Sequence, residues 1–588
     1  MLAFSQENQE KFFPIFHPFQ ANRLDGGIAV WTSQRYRAGN CSADSDPLDH
    51  LREAFSYVIP GGATFDKLRI NPVESVTLRA ERYGGDGIDD NGGGVRCGNL
   101  GNFQIKGIGR NLLVGAAEDF HHSYGGLSAV HAVHETIMSI VVEKLFPTGS
   151  AHVYGLILTG PTAALFGKES REWGALLVRE PVFRPANFLR AGFYVPANSE
   201  ARRMLSDVAR VRITNKELMS HFGGTREFIR AFGEFLMKCA DQFAFAKIAR
   251  LSHGAVSPSN LCVDGRWLDL THASFLRSAE NHVNAHGVSF LQEQDEIYNL
   301  IYEFTSTFSK YNQVEINPKT LVDYYRKVCD LYFRDYLGWL LGVKVAPMEE
   351  PATQADLECL KLFISRIFDS AALVKKSLPE DFDESDPVLC FIERAYAGLS
   401  REGSSGQPGS GMSWQDSPDK LELDAFNRVL ATAFQRSGNV CSYRAFVIVS
   451  FIKAFKRSRL VEYYYKPVVA KRVNAVLGTG KVSEIGNLID DASSVLDWSL
   501  NEDKSDSATL YQGEKLSIVF DAAGTHFVVV NDVAGERLHL ASVKELGNYI
   551  ASAQLQGCFS EIFDFGPYLS RMLNIVEILM GLGGHVKS

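Results

Sequence analysis

Hydrophobic positions recur along the chain with two distinct periods, and the places where the period changes divide it into parts. Val130, Val133, Ile137, Val141 and Leu145 follow one another at steps of three and four, the spacing of one helix face, which predicts a helix over 127–146. Upstream, residues 76–83 (VTLRAERY) and 102–107 (NFQIKG) read as strands, and the tract between them, YGGDGIDDNGGGVRCGNLGN, reads as a glycine-rich loop. Downstream, 154–160 (YGLILTG) and 174–180 (GALLVRE) are short aliphatic runs bounded by glycine or proline, as buried strands are. Residues 213–250 and 290–400 carry mostly amphipathic helix patterns, for example FIRAFGEFLMKCADQFAFAKIARL over 228–251.

The pattern then breaks. Residues 400–413 (SREGSSGQPGSGMS) hold too much glycine, serine and proline to pack, which predicts a linker. Beyond it 421–477 reads as helical, and segments starting at Lys515, His526 and Arg537 alternate between glycine-containing turns, as short antiparallel strands do. The expectation is an α+β chain in four parts: 1–178 with the glycine-rich loop, a mainly helical 179–399, the linker 400–413, and an α+β domain over 414–588. A length of 588 residues agrees with two to four units of about 150 residues each.

Charge narrows the function. With 60 basic and 69 acidic residues the chain carries a net −9, which offers no overall footprint for a nucleic-acid backbone. The most apolar windows, 445–451 and 575–582, fall well short of the roughly 18 residues a membrane helix needs, so they are expected in the core and no membrane association is expected. Nine cysteines without any CxxC pair fit a reduced compartment, and the opening segment MLAFSQENQEKFFPIF lacks the basic and apolar regions of a leader. The expected location is cytoplasmic.

Three stretches carry the chemistry. Lys106 closes the strand after the glycine-rich loop, and Glu135 follows 29 residues later on the predicted helix. A lysine held by a helix glutamate can bind nucleotide phosphates, and a glycine-rich turn lets backbone amides approach them. The second stretch is HGAVSPSN, His253 to Asn260, and the third is WLDL, with Asp269 nine residues after Asn260. A histidine seven residues before an asparagine, followed by a short β segment ending in aspartate, matches the catalytic loop and metal-binding aspartate of kinase-like folds. Amide and carboxylate oxygens are hard ligands suited to Mg²⁺ or Mn²⁺. His131, His134 and Glu135 fall within about one helical turn, but not in the HExxH order of a zinc helix, so a buried or capping role is expected for them.

The blocks NFQIKGIGR (102–110), GGLSAVHAVHET (125–136), GALLVRE (174–180) and HGAVSPSNLCVDGRWLDLTHASFL (253–276) resemble those of the selenoprotein O family, kinase-like protein adenylyltransferases. FHPFQANRLDGG (16–27) and GGGVR (92–96) are similar to that family's opening and glycine-rich segments more faintly, and the resemblance covers roughly 15–340. It implies a bilobal protein-kinase-like fold, 1–178 being one lobe and 179–399 the other, that binds ATP in a flipped pose and transfers AMP. Carried over residue by residue, it implies phosphate or nucleotide contacts from Gly92, Gly93, Gly94, Arg96, Lys106, Arg179 and, at a spacing that departs from the family's, Arg184. Glu135 would pair with Lys106, and Asn260 with Asp269 would hold Mg²⁺ or Mn²⁺. The acceptor would be a protein or peptide, with the C-terminal domain available for a partner protein.

Departures from the family bear on the acceptor. Ser259 stands where the family has an aspartate before the metal-binding asparagine, and Ala255 stands where ordinary kinases have their catalytic aspartate, so no loop carboxylate is left to accept a hydroxyl proton. The family's DGRA block reads GGLS at 125–128. Alternatives therefore stand beside hydroxyl AMPylation: AMP-forming activation of a peptide or natural-product carboxylate, which needs no base, a phosphotransferase, or a nucleotide-binding pseudokinase scaffold. Because Lys106 and Asp269 are expected in a cleft rather than a core, replacing either with alanine is expected to stop turnover with slight loss of stability.

Overall fold

The structure is a computed structural model; it describes residues 2–581 apart from 43–44, 61–67, 87, 89, 117–122, 167–169, 198, 279, 284–287, 345–350, 371, 375–385, 400–419, 439–441, 501–506, 514 and 556–564. The predicted linker 400–413 lies outside the described residues. The fold is mixed α+β, organised by a large antiparallel sheet.

Eight strands build that sheet: β1 (Phe16–Asp25), β2 (Ile28–Thr32), β3 (Tyr57–Val58), β4 (Arg69–Glu81), β5 (Cys97–Leu100), β6 (Phe103–Lys106), β7 (Val153–Phe166) and β8 (Ser170–Arg179). They lie in the order β2-β7-β8-β6-β5-β4-β1-β3 with every pairing antiparallel. Alternation within β7 and β8 explains their unbroken aliphatic sequence. Leu156, Leu158, Ala175 and Leu177 join the core on one face, while Ile157, Leu176 and Val178 join a second core with Tyr36, Leu51 and Phe55 on the other. A strand covered on both faces has no polar face to show.

Helix α1 (Ala129–Leu145) crosses the first of these faces. Ser128 caps it by accepting from the His131 N–H at 3.2 Å, and Val133, Ile137 and Val141 are buried as their spacing predicts. The helical stretch expected over 213–250 is two helices, Asp207–Phe222 and α2 (Thr225–Ala249), because Gly223 and Gly224 take φ of 78° and 138° between them. Helix α3 (Glu296–Asn312) packs on the first of that pair. One expectation needs correcting: the glycine-rich tract is not all loop. Residues 97–100 form β5, paired with β6 so that Cys97 lies opposite Lys106.

Beyond the undescribed 400–419, helices α4 (Leu460–Tyr464), α5 (Lys466–Thr479) and α6 (Glu484–Leu500) precede a four-stranded antiparallel sheet of β9 (Ser507–Gln512), β10 (Leu516–Asp521), β11 (His526–Asn531) and β12 (Glu536–Leu540). This late segment packs into the earlier one. α5 and α6 lie on α1, α6 also meets β2, and the Trp31 indole donates to Asp490 at 2.8 Å. A single hydrophobic cluster runs from Leu2 through α1 to Ile489 and Leu579. No helix among the described residues is long and apolar enough to cross a membrane.

Candidate functional site

Three separate pieces of chain meet at the end of β6. Lys106 is the last residue of that strand, and its ammonium, 0% exposed, donates to Glu135 Oε2 of α1 at 2.6 Å and forms a close ion pair with Asp269. Thr271 lies between the two carboxylates, its hydroxyl 2.9 Å from Glu135 and 3.1 Å from Asp269 and able to donate its one proton to either. Arg179, at the end of β8, donates to Glu135 Oε1 at 2.7 Å, so one glutamate holds two cations. Register explains the convergence: Gln104 of β6 lies opposite Arg179 of β8, and Gln104 and Lys106 share a strand face by period two.

The network continues away from Lys106. Gln104 accepts from Arg179 Nε at 2.9 Å and donates to Glu81 at 3.1 Å, and Glu81 accepts from Arg184 Nε at 3.1 Å and from Asn187 at 3.0 Å. Arg184 reaches the Ser259 carbonyl at 2.6 Å and lies 5.0 Å over the Tyr83 ring. These groups are almost wholly buried, where an unmatched charge would be costly, and each charge here has a partner of opposite sign.

A cleft of about 170 Å³ opens beside this network, lined by the 93–97 stretch on one side and by the 254–260 loop on another, with Asp269 and His272 completing it. Gly93, Gly94, Arg96, Arg179, Asn260 and Asp269 all line it. Lys106 and Glu135 lie just behind. Gly92 does not reach it: a Cβ there would strike the Tyr194 ring at 2.6 Å, so Gly92 serves packing on the far side. Arg184 likewise points to Glu81 and Ser259 rather than into the cleft.

The loop that presents Asn260 is held from outside. Glu293 accepts from the Ser252 hydroxyl, the His253 N–H and the Gly254 N–H, at 2.7, 2.9 and 2.7 Å. His253 is fully buried; its Nε2 meets the Leu268 carbonyl at 3.1 Å, while its Nδ1 has no hydrogen-bond partner among the described residues. Burial therefore lowers its pKa to about 4 and keeps it neutral. It anchors the loop through the Leu268 carbonyl. Asn260 donates its amide to the Ala255 carbonyl at 2.8 Å, which leaves its side-chain oxygen as the group able to bind a cation. Ser257 and Ser259 pair hydroxyl to hydroxyl at 2.9 Å.

Asp269 is the charged centre of the cleft. Burial alone would raise its pKa, but Lys106, then Arg179 and Arg96, outweigh it and hold the carboxyl well below the usual range. Its backbone sits at φ 60°, a left-handed conformation that a non-glycine residue adopts at a cost and that turns the carboxylate toward Lys106. An ionised carboxylate and an amide oxygen facing one cavity fit a hard divalent cation, and Arg96 and Arg179 on the same walls fit the anion such a cation would accompany. Among the described residues no three His, Cys, Asp or Glu side chains gather as a protein-only metal cage.

The chain matches no protein-family model and no curated protein.

Five members of this network went unpredicted from the sequence: Glu81, Tyr83, Gln104, Asn187 and Thr271. Gln104 was within reach, since strand alternation places it on the face of Lys106. Glu81 and Tyr83 enter through the pairing of β4, which no local pattern announces. His134 and Glu135, neighbours on α1, diverge: His134 Nε2 meets the Ala273 carbonyl at 2.8 Å while Glu135 faces the two cations.

Proposed function

We propose that the protein is an ATP- and divalent-metal-dependent adenylyltransferase with a bilobal, protein-kinase-like arrangement akin to the selenoprotein O family, acting on a protein or peptide acceptor. The observation that carries the reading is the convergence of Lys106, Glu135 and Asp269. A strand lysine, a helix glutamate and an aspartate following an asparagine loop come together beside a cleft, as nucleotide phosphates and their metal require. Asn260 and Asp269 would hold Mg²⁺ or Mn²⁺, which when bound neutralises phosphate charge. Arg96, Arg179 and, once displaced from Asp269, Lys106 would orient the phosphate chain.

In the reaction an acceptor oxygen bonds to the α-phosphorus, the bond from that phosphorus to the bridging oxygen of the β-phosphate breaks, and pyrophosphate leaves with the electron pair. The loop offers Ala255 and a hydroxyl-paired Ser259 where a proton acceptor would stand. This favours, as a second reading within the same chemistry, a carboxylate acceptor, which attacks already ionised and gives an acyl adenylate. For a hydroxyl the missing base would cost about 10²–10⁴ in rate.

Label from α-³²P-ATP, and not from γ-³²P-ATP, is expected on the acceptor or in released AMP. Transfer of γ label would replace the proposal with a phosphotransferase, and nucleotide binding without turnover would leave a pseudokinase scaffold. Neutral hydroxylamine separates the acceptors: a trapped hydroxamate marks a carboxylate, and a resistant adduct on Ser, Thr or Tyr marks a hydroxyl.

A further inference from the structure

A cation from the later part of the chain stands against a residue that lines the cleft. Lys466, the first residue of α5, places its ammonium 3.4 Å from Nδ1 of His272, an exposed residue that lines the cleft three positions after Asp269. The position is fixed through the backbone as well, because the Lys466 N–H donates to the Ser274 hydroxyl at 3.0 Å, and Ser274 itself is fully buried. An ammonium only donates, so this contact makes Nδ1 of His272 the acceptor and puts the ring proton on Nε2. The imidazole ring of His131, on the first turn of α1, stands 6.4 Å from that of His272.

We propose that Lys466 and His272 form an outer anion subsite of the cleft, one that grips the phosphate chain of a bound nucleotide together with Arg96 and Arg179. The inference rests on the nucleotide reading above and adds to it a ligand from beyond the undescribed 400–419. Two features carry it. A cleft walled by Arg96 and Arg179, with Lys106 just behind, has a further cation against His272, one of its lining residues, and cations clustered in this way suit polyphosphate oxygens. The neighbouring His131 registers the combined field: burial first, then Lys466, Arg96 and Lys106, lower its pKa to about 4 against the opposing effect of Asp269. A polypeptide acceptor would also meet this region, but a compact polyanion is the ligand that matches several cations gathered around one cleft.

The test is calorimetry on the full-length protein with three probes: Mg·ATP, inorganic tripolyphosphate with Mg²⁺, and adenosine. Lys466→Ala keeps the backbone bond to Ser274, so its melting temperature should stay close to that of the unaltered protein. It is expected to weaken ATP and tripolyphosphate about tenfold and leave adenosine unchanged, with Lys466→Arg restoring both phosphate ligands to within about threefold. Unchanged tripolyphosphate affinity in Lys466→Ala, with the unaltered protein binding both phosphate ligands, overturns this subsite and leaves the nucleotide reading standing. An equal loss for adenosine assigns Lys466 a structural role and overturns it too. If the unaltered protein binds neither phosphate ligand, the subsite and the nucleotide reading fail together.

Discussion

Lys106 sits between two carboxylates with no solvent around its ammonium, and that placement changes what a mutation there reports. From the sequence alone, alanine at this position is expected to spare the fold. Burial corrects that expectation, because Lys106→Ala leaves Glu135 facing Asp269 with one cation fewer, and breaking a buried ion pair costs about 3–5 kcal/mol. The expected result by urea denaturation is a loss of that size. Asn260→Ala is the cleaner probe of function: it forfeits one hydrogen bond to Ala255, about 1 kcal/mol, while removing the proposed metal ligand, so turnover should vanish from a protein that still folds. His253 gives a pH signature. The unfolded imidazole titrates near 6.5 and the folded one near 4, so between those values the unfolded chain binds more protons. Stability present above pH 6.5 is then lost as pH falls toward 4, by on the order of 3 kcal/mol. Denaturation at a series of pH values should show this slope, and His253→Gln should flatten it by up to one proton.

Glycines separate elements that tolerate change from those that do not. At Gly93, on the wall of the cleft, φ is 145° and a Cβ would lie 2.2 Å from the Glu81 carbonyl oxygen, so the hairpin between β4 and β5 closes only without a side chain. Gly101, in the turn between β5 and β6, has φ of 57° and open space around it. Gly101→Ala should cost about 1 kcal/mol, the price of the left-handed backbone. Gly93→Ala should cost at least twice that and weaken nucleotide binding as well; equal losses in the two variants would show that the hairpin yields easily. Helix α1 and strands β6, β7 and β8 lie close to where periodicity predicted them, since each must bury a stripe or a face that its own sequence supplies. β1 gave no such signal. FHPFQANRLD mixes polar residues into positions that face cover on one side and solvent on the other, and only pairing with β4 makes it a strand.

Across the whole molecule the apolar core ignores the composition break at 400–413. Ile137 of α1 meets Tyr464, Val469, Leu488 and Val495 around a void of only about 20 Å³, and Lys144 pairs with Asp497 at 2.7 Å. A core shared in this way predicts that α1, and with it Glu135, is held in place by the late helices. Trp31→Ala, which removes a buried ring and its bond to Asp490 at the junction of β2 and α6, should cost about 3–5 kcal/mol. Calorimetry should show one transition moving down as a unit; two transitions, only one of them displaced, would mean that the segments unfold independently.

What the sequence determined by itself was local: the period of α1, the aliphatic strands β7 and β8, and the order of Lys106, Glu135, Asn260 and Asp269 along the chain. Those features follow from neighbours a few residues apart, where the 3.6- and 2-residue repeats act. Only the tertiary structure decided that β5 pairs out of the glycine-rich tract, that Arg184 and Gly92 turn away from the cleft, and that Lys466 arrives beside His272 from 194 residues away. Such contacts are fixed by strand pairing and by helices burying their faces on one another. The partners are distant in the chain, so no window of sequence contains both halves of the interaction.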